Sequence, residues 1–139
     1  MDVIITKKYS LRNQPFAKLF GLTVGLIDSD HQARSFYEQK LRSANLEVIT
    51  FSDYVEALAT GELEKFNALI FGLQTDLIKE QFKYLKKFID SFPAVPVVTI
   101  SKTMQENQID AIMKLGTRLH INRDFSHPRD LIVALEQIL

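Results

Sequence analysis

Short, uninterrupted apolar runs alternate along this chain with stretches whose apolar residues recur every three or four positions. Val24-Gly25-Leu26-Ile27, Leu46 to Phe51, Ala68-Leu69-Ile70-Phe71, Val97 to Ile100 and Leu119-His120-Ile121 have the length and apolarity of buried strands. Between them the spacing predicts helices. Asp30 is placed to cap the first, which runs to about Ala44 with Ala33, Phe36, Tyr37, Leu41 and Ala44 on one side. Ser52 is placed to cap a short second helix through Val55, Leu58 and Ala59, ending near Gly61. Thr75 opens a third, in which Ile78, Phe82, Leu85, Ile89 and Phe92 line up before Pro93 and Pro96. A fourth turns Ile109, Ile112 and Met113 inward and stops at Gly116. Ser126 and Pro128 start a fifth, with Leu131, Leu135 and Ile138 facing the core.

Strands alternating with helices make an α/β domain, a parallel sheet with right-handed crossovers and helices on both faces. The expected fold is a flavodoxin-like (βα)5 three-layer sandwich of strand order 2-1-3-4-5, with its functional crevice at the carboxyl ends of the strands. This unit spans residues 22–139, after a short N-terminal extension of residues 1–21. The extension carries Lys7, Lys8, Arg12 and Lys18 against one acid, Asp2. Val3-Ile4-Ile5 offers an edge strand there, and Phe16, Leu19 and Phe20 offer apolar contacts to the domain. The last helical pattern runs to Ile138-Leu139, an abrupt ending read as that of an N-terminal module with an output domain following.

Composition narrows the function classes. At 139 residues the chain fits one domain, and 46% hydrophobic with 24% charged residues is the balance of a soluble globular protein. Seventeen Lys and Arg residues balance seventeen Asp and Glu, so no global field attracts nucleic acid or an anionic membrane. With no cysteine there is no disulfide, thiol catalysis or cysteine metal site, which fits a cytoplasmic protein. The basic residues before Leu19 to Ile27 superficially imitate a signal peptide. That apolar stretch is short, lacks a small-residue cleavage pattern and runs into Asp28-Ser29-Asp30.

In the expected fold the loops after strands one, three, four and five meet. They bring together Asp28, Ser29 and Asp30, then Gly72, then Ser101 and Lys102, then Arg123 and Asp124. Over Leu22 to Leu139 this arrangement resembles the receiver domain of bacterial response regulators. The resemblance implies an acidic pair after strand one that holds Mg²⁺ and a phosphoacceptor aspartate ending strand three. It also implies a Ser or Thr after strand four and a Lys-Pro pair after strand five. Asp28 matches the first acid, and Ser29 stands where the second, metal-contacting carboxylate belongs. Asn67 to Phe71 matches the strand leading to the acceptor, and the acceptor position holds Gly72. Ser101 keeps the hydroxyl, Arg123 replaces the lysine and Asp124 the proline, and His120 takes the place of the aromatic switch residue.

These substitutions remove the chemistry. An acyl phosphate needs a carboxylate nucleophile in line with the donor, and glycine has none. A Mg²⁺ site needs several hard oxygens, and carboxylates are lost at 29 and 72. No metal, cofactor or catalytic residue is expected, and Asp76 is expected to serve the start of the third helix. An ion pair between Asp28 and Arg123 is expected across the emptied pocket. The implied function is that of a non-enzymatic pseudo-receiver in bacterial signalling that binds proteins, among them its own output domain or a second copy. Its contact face is expected to include Met104, Ile109, His120 and Asp124. The alternative is a small-molecule sensor using the crevice; an enzyme of the nucleotide-binding type lacks its glycine-rich phosphate loop.

Overall fold

The computed structural model describes residues 17–139. The segment read as an added edge strand, Val3 to Ile5, and Phe16 lie outside the described residues. Five parallel strands, β1 (Thr23–Ile27), β2 (Glu47–Phe51), β3 (Ala68–Gly72), β4 (Val97–Ser101) and β5 (Leu119–Asn122), form one sheet in the order β2-β1-β3-β4-β5. The helices α1 (His31–Ser43), α2 (Tyr54–Ala59), α3 (Ile78–Ser91), α4 (Glu106–Leu115) and α5 (Pro128–Ile138) connect them. The architecture is the flavodoxin-like one expected from the pattern.

Because side chains alternate along a strand, β1 to β4 each feed two cores, while the edge strand β5 feeds one through Leu119 and Ile121. Val24 and Leu26, Ala68 and Ile70, and Val98 and Ile100 meet Tyr37 and Leu41 of α1 and Leu131 and Leu135 of α5. Ile27, Leu69, Phe71 and Val97 face the other way, against Leu85 and Phe88 of α3 and Ile112 of α4. β3 and β4 are buried throughout, which is why their sequences are unbroken apolar runs. Each fully buried Leu or Phe contributes about 1.5–3 kcal/mol by leaving water.

The first core reaches back past residue 22. Leu19, in a 3₁₀ turn at Ala17–Leu19, is fully buried within it, and the Lys18 ammonium donates to the Glu136 carbonyl at 2.9 Å. Phe20 beside it is about half exposed.

Several local details differ from the pattern-based expectation. Asp53, one residue after Ser52, is the cap of α2 and accepts from the Glu56 N–H at 2.8 Å; Ser52 donates its hydroxyl to the Glu56 carboxylate at 2.6 Å instead. A 3₁₀ turn at Thr75–Leu77 precedes α3, so that helix starts three residues late. His127, not Ser126, caps α5, with its Nδ1 accepting from the Arg129 N–H and the Asp130 carboxylate accepting from the His127 N–H. Phe36 and Met113 are turned partly outward; Phe36 packs edge-on against Tyr37 and lies under the Lys40 ammonium. Asp30 caps α1 as expected, accepting from the Gln32 and Ala33 N–H groups, and Gly116 ends α4 in the left-handed conformation at φ 114°.

Candidate functional site: the filled pocket at the strand ends

β1 and β3 are adjacent and in register, Ile27 opposite Phe71, so Asp28 and Gly72 come next to each other on the same face of the sheet. Asp28 is buried, and its carboxylate leans across to the position beside Gly72. A Cβ built on Gly72 would overlap the Asp28 carboxyl group and lie 2.9 Å from its Cβ. The space where an acceptor side chain would begin is therefore taken by another carboxylate.

Polar groups hold Asp28 there. Its Oδ1 accepts from the Asp30 N–H at 2.9 Å and from the Gln74 carboxamide at 3.2 Å. The Arg34 guanidinium donates to its backbone carbonyl at 2.7 Å. Burial pushes the Asp28 carboxyl above the usual carboxylate range, against the Asp30 N–H and the fields of Arg123 and Arg34. Desolvation wins because two hydrogen bonds and no ion pair compensate the buried charge. The expected Asp28–Arg123 ion pair does not form: among the described residues Arg123 pairs with no carboxylate within 4 Å and acts on Asp28 only through its field. Its backbone N–H is used by the Ser101 carbonyl at 2.8 Å.

Ser29 is exposed and Asp30 serves the α1 cap, with its carboxyl held low by the Ala33 and Gln32 N–H groups. No group of three metal-ligating side chains occurs among the described residues.

Ser101 is buried but turned to other partners. Its hydroxyl donates to the Lys102 carbonyl at 2.6 Å and meets His120 Nε2 at 3.2 Å. His120 Nδ1 meets the Thr99 hydroxyl at 2.8 Å. Since the Ser101 proton is committed to Lys102, His120 donates from Nε2, and the Thr99 hydroxyl at Nδ1 can serve either protonation state of the ring. Burial disfavours the charged ring and lowers the His120 pKa below its ordinary 6.5. The unfolded chain therefore takes up this proton first as the pH falls. The stability His120 contributes is complete above the unfolded value near 6.5 and is lost as the pH drops through the folded value. Urea midpoints of the wild type should fall between about pH 7 and about pH 5, and His120→Asn should flatten that slope. An unchanged slope in the variant would show that other groups carry it.

Asp124 ties the β5–α5 loop to the β4–α4 loop: its carboxylate accepts from the Thr103 N–H at 2.7 Å and the Thr103 hydroxyl at 2.8 Å, which holds it low. Of the residues expected on a contact face, Asp124 is exposed and Ile109 and His120 are half-buried. Met104 is only 9% exposed and belongs to the α3–α4 core, because the chain after β4 turns it inward. The residue that stands out is Phe125, 82% exposed beside Asp124.

Two polar residues of this region escaped sequence reading. Gln81 is buried, and its Oε1 accepts from the Gln74 N–H at 2.7 Å. A polar residue on the apolar stripe between Ile78 and Leu85 was its signal. Arg34 carried no signal, since a basic residue in the first turns of a helix is ordinarily solvated.

No protein-family model matches the chain, and no curated protein matches it in sequence. Solved structures do match. The chemotaxis protein CheY4 of Vibrio cholerae superposes with a TM-score of 0.74 at 20% identity, over 86% of this chain and 99% of that one. The fold is that of a response-regulator receiver. A CheY-like receiver domain protein from Methanospirillum hungatei gives 0.73 at 21% identity, over 85% and 93% of the two chains. A putative pilus assembly protein, CpaE, from Burkholderia thailandensis gives 0.71 at 16% identity, over 84% and 96%. No helix among the described residues is long and apolar enough to cross a membrane.

Proposed function

We propose that this receiver-fold domain is a phosphorylation-independent pseudo-receiver that works in bacterial signalling by binding proteins. The observation that carries the reading is the pairing of Gly72 with Asp28: the acceptor is missing and its place is filled by a carboxylate. A receiver waiting for phosphate needs that volume for the acceptor and the phosphoryl group, and several oxygens for Mg²⁺. Here the nearest carboxylate is buried, desolvated and already hydrogen-bonded. The hydroxyl of Ser101 is committed to Lys102 and His120, which fits one resting arrangement rather than a switch.

The contact face in this reading is that of α4, β5 and α5 with the loop after β5. Phe125 offers an exposed aromatic anchor, a residue type enriched in protein interfaces, and beside it Asp124 is held in place by Thr103. The partner is a protein, a second copy of this chain among the candidates.

Incubation with acetyl phosphate and Mg²⁺ should leave the intact mass unchanged, and beryllofluoride with Mg²⁺ should leave the amide NMR spectrum unchanged. A stable aspartyl adduct, on Asp28 or elsewhere, would overturn the proposal.

A further inference from the structure

Beside the filled pocket, on the α2–α3 side of the loop after β1, lies a groove of about 260 Å³. Its lining includes the rings of Tyr54 and Tyr84, the exposed Val55 and the carboxylates of Asp53 and Glu80. The rings form part of a stack: Tyr54 lies 4.7 Å from Tyr84 and 5.4 Å from Phe71, both nearly parallel. Gln81 completes the lining, and its bond to the Gln74 N–H fixes it before any ligand arrives. Buried neighbours push the Tyr54 hydroxyl well above its ordinary range, so it stays neutral.

The charge in this groove is one-sided. Asp53 and Glu80 are exposed, and among the described residues neither forms an ion pair. No lysine or arginine is among the lining residues. Aromatic and apolar surface flanked by two carboxylates with no cationic partner, one of them already capping α2, suits a side chain with an apolar stem and a cationic head. Arginine fits best, because its planar guanidinium both stacks on rings and forks onto a carboxylate.

We propose that this groove receives an arginine side chain presented by a partner protein. The site is separate from the α4–β5–α5 face, and it stands whether or not the domain can be phosphorylated. It gives the partner a second, oppositely charged anchor on a rigid, aromatic-backed surface.

The test uses the whole chain, ¹⁵N-labelled, titrated with N-acetyl-arginine amide and, separately, N-acetyl-leucine amide. A single residue has few atoms, so binding in the millimolar range is expected. The arginine derivative should give saturable shifts localised to the amides of Ser29, Tyr54, Val55 and Tyr84. A variant carrying Asp53→Asn and Glu80→Gln should bind roughly fivefold to tenfold more weakly. Asparagine caps a helix as well as aspartate, so α2 is retained. No localised shift, equal shifts from the leucine derivative, or unchanged affinity in the double variant would each overturn the proposal. Groove shifts that grow with protein concentration in the absence of ligand would also overturn it, by showing a second copy of the chain there.

Discussion

Gly72→Asp is expected to destabilise the domain by about 3–5 kcal/mol and to leave it unphosphorylated. The new Cβ has no room: it overlaps the Asp28 carboxyl group, and overpacking of a rigid site costs about 1–3 kcal/mol. The new carboxylate then adds a second buried negative charge beside one already short of compensation, a further cost of a few kcal/mol. Against a total stability of about 5–15 kcal/mol, such a loss shows directly in a urea denaturation curve. Gly72→Ala isolates the steric part and should cost about 1–3 kcal/mol. Combining it with Asp28→Ala should recover much of that loss, with a coupling energy above about 1 kcal/mol. Additive effects of the two alanines would mean that Asp28 does not occupy the acceptor's space. On the proposed reading, restoring the acceptor alone is not expected to restore a receiver's chemistry, since Ser29 lacks the second carboxylate and Arg123 and Asp124 stand in place of the Lys-Pro pair.

Leu19→Ala is expected to cost about 2–5 kcal/mol, as large as the loss of a leucine from the centre of the sheet. Leu19 is fully buried in the α1–α5 core, although it precedes the first strand and lies in the N-terminal extension. Phe20→Ala, at the neighbouring half-exposed position, should cost much less. The comparison of urea midpoints checks both. Equal, small losses would show that Leu19 does not belong to the core of the folded domain.

The fold was legible because it rests on one-dimensional signals. Unbroken apolar runs such as Ala68 to Phe71 mark strands covered on both faces, and their alternation with helical periods admits few topologies. The order β2-β1-β3-β4-β5 is the commonest of those topologies for five strands, and the structure has it. Cap positions were less secure. Ser52 and Asp53, or Ser126 and His127, are adjacent candidates, and which one bonds the first turn depends on where the preceding strand lets go. Met104 reads as a surface residue between a strand and a helix, and only the path of the chain after β4 shows it buried.

The same division holds at the candidate site. That position 72 has no carboxylate is a statement of covalent chemistry, and the amino-acid sequence determined it completely. What became of the vacated space was a matter of three dimensions. Strand register set Asp28 beside Gly72, the Asp30 N–H and the Gln74 carboxamide bonded its carboxylate, and Gln81 of α3 held the Gln74 backbone. Arg123, the natural partner for Asp28 by charge, was left beyond ion-pair distance. A side chain's identity is local, but its partners are chosen by packing, and short-range contacts of an ångström or two decide between a filled pocket and an open one.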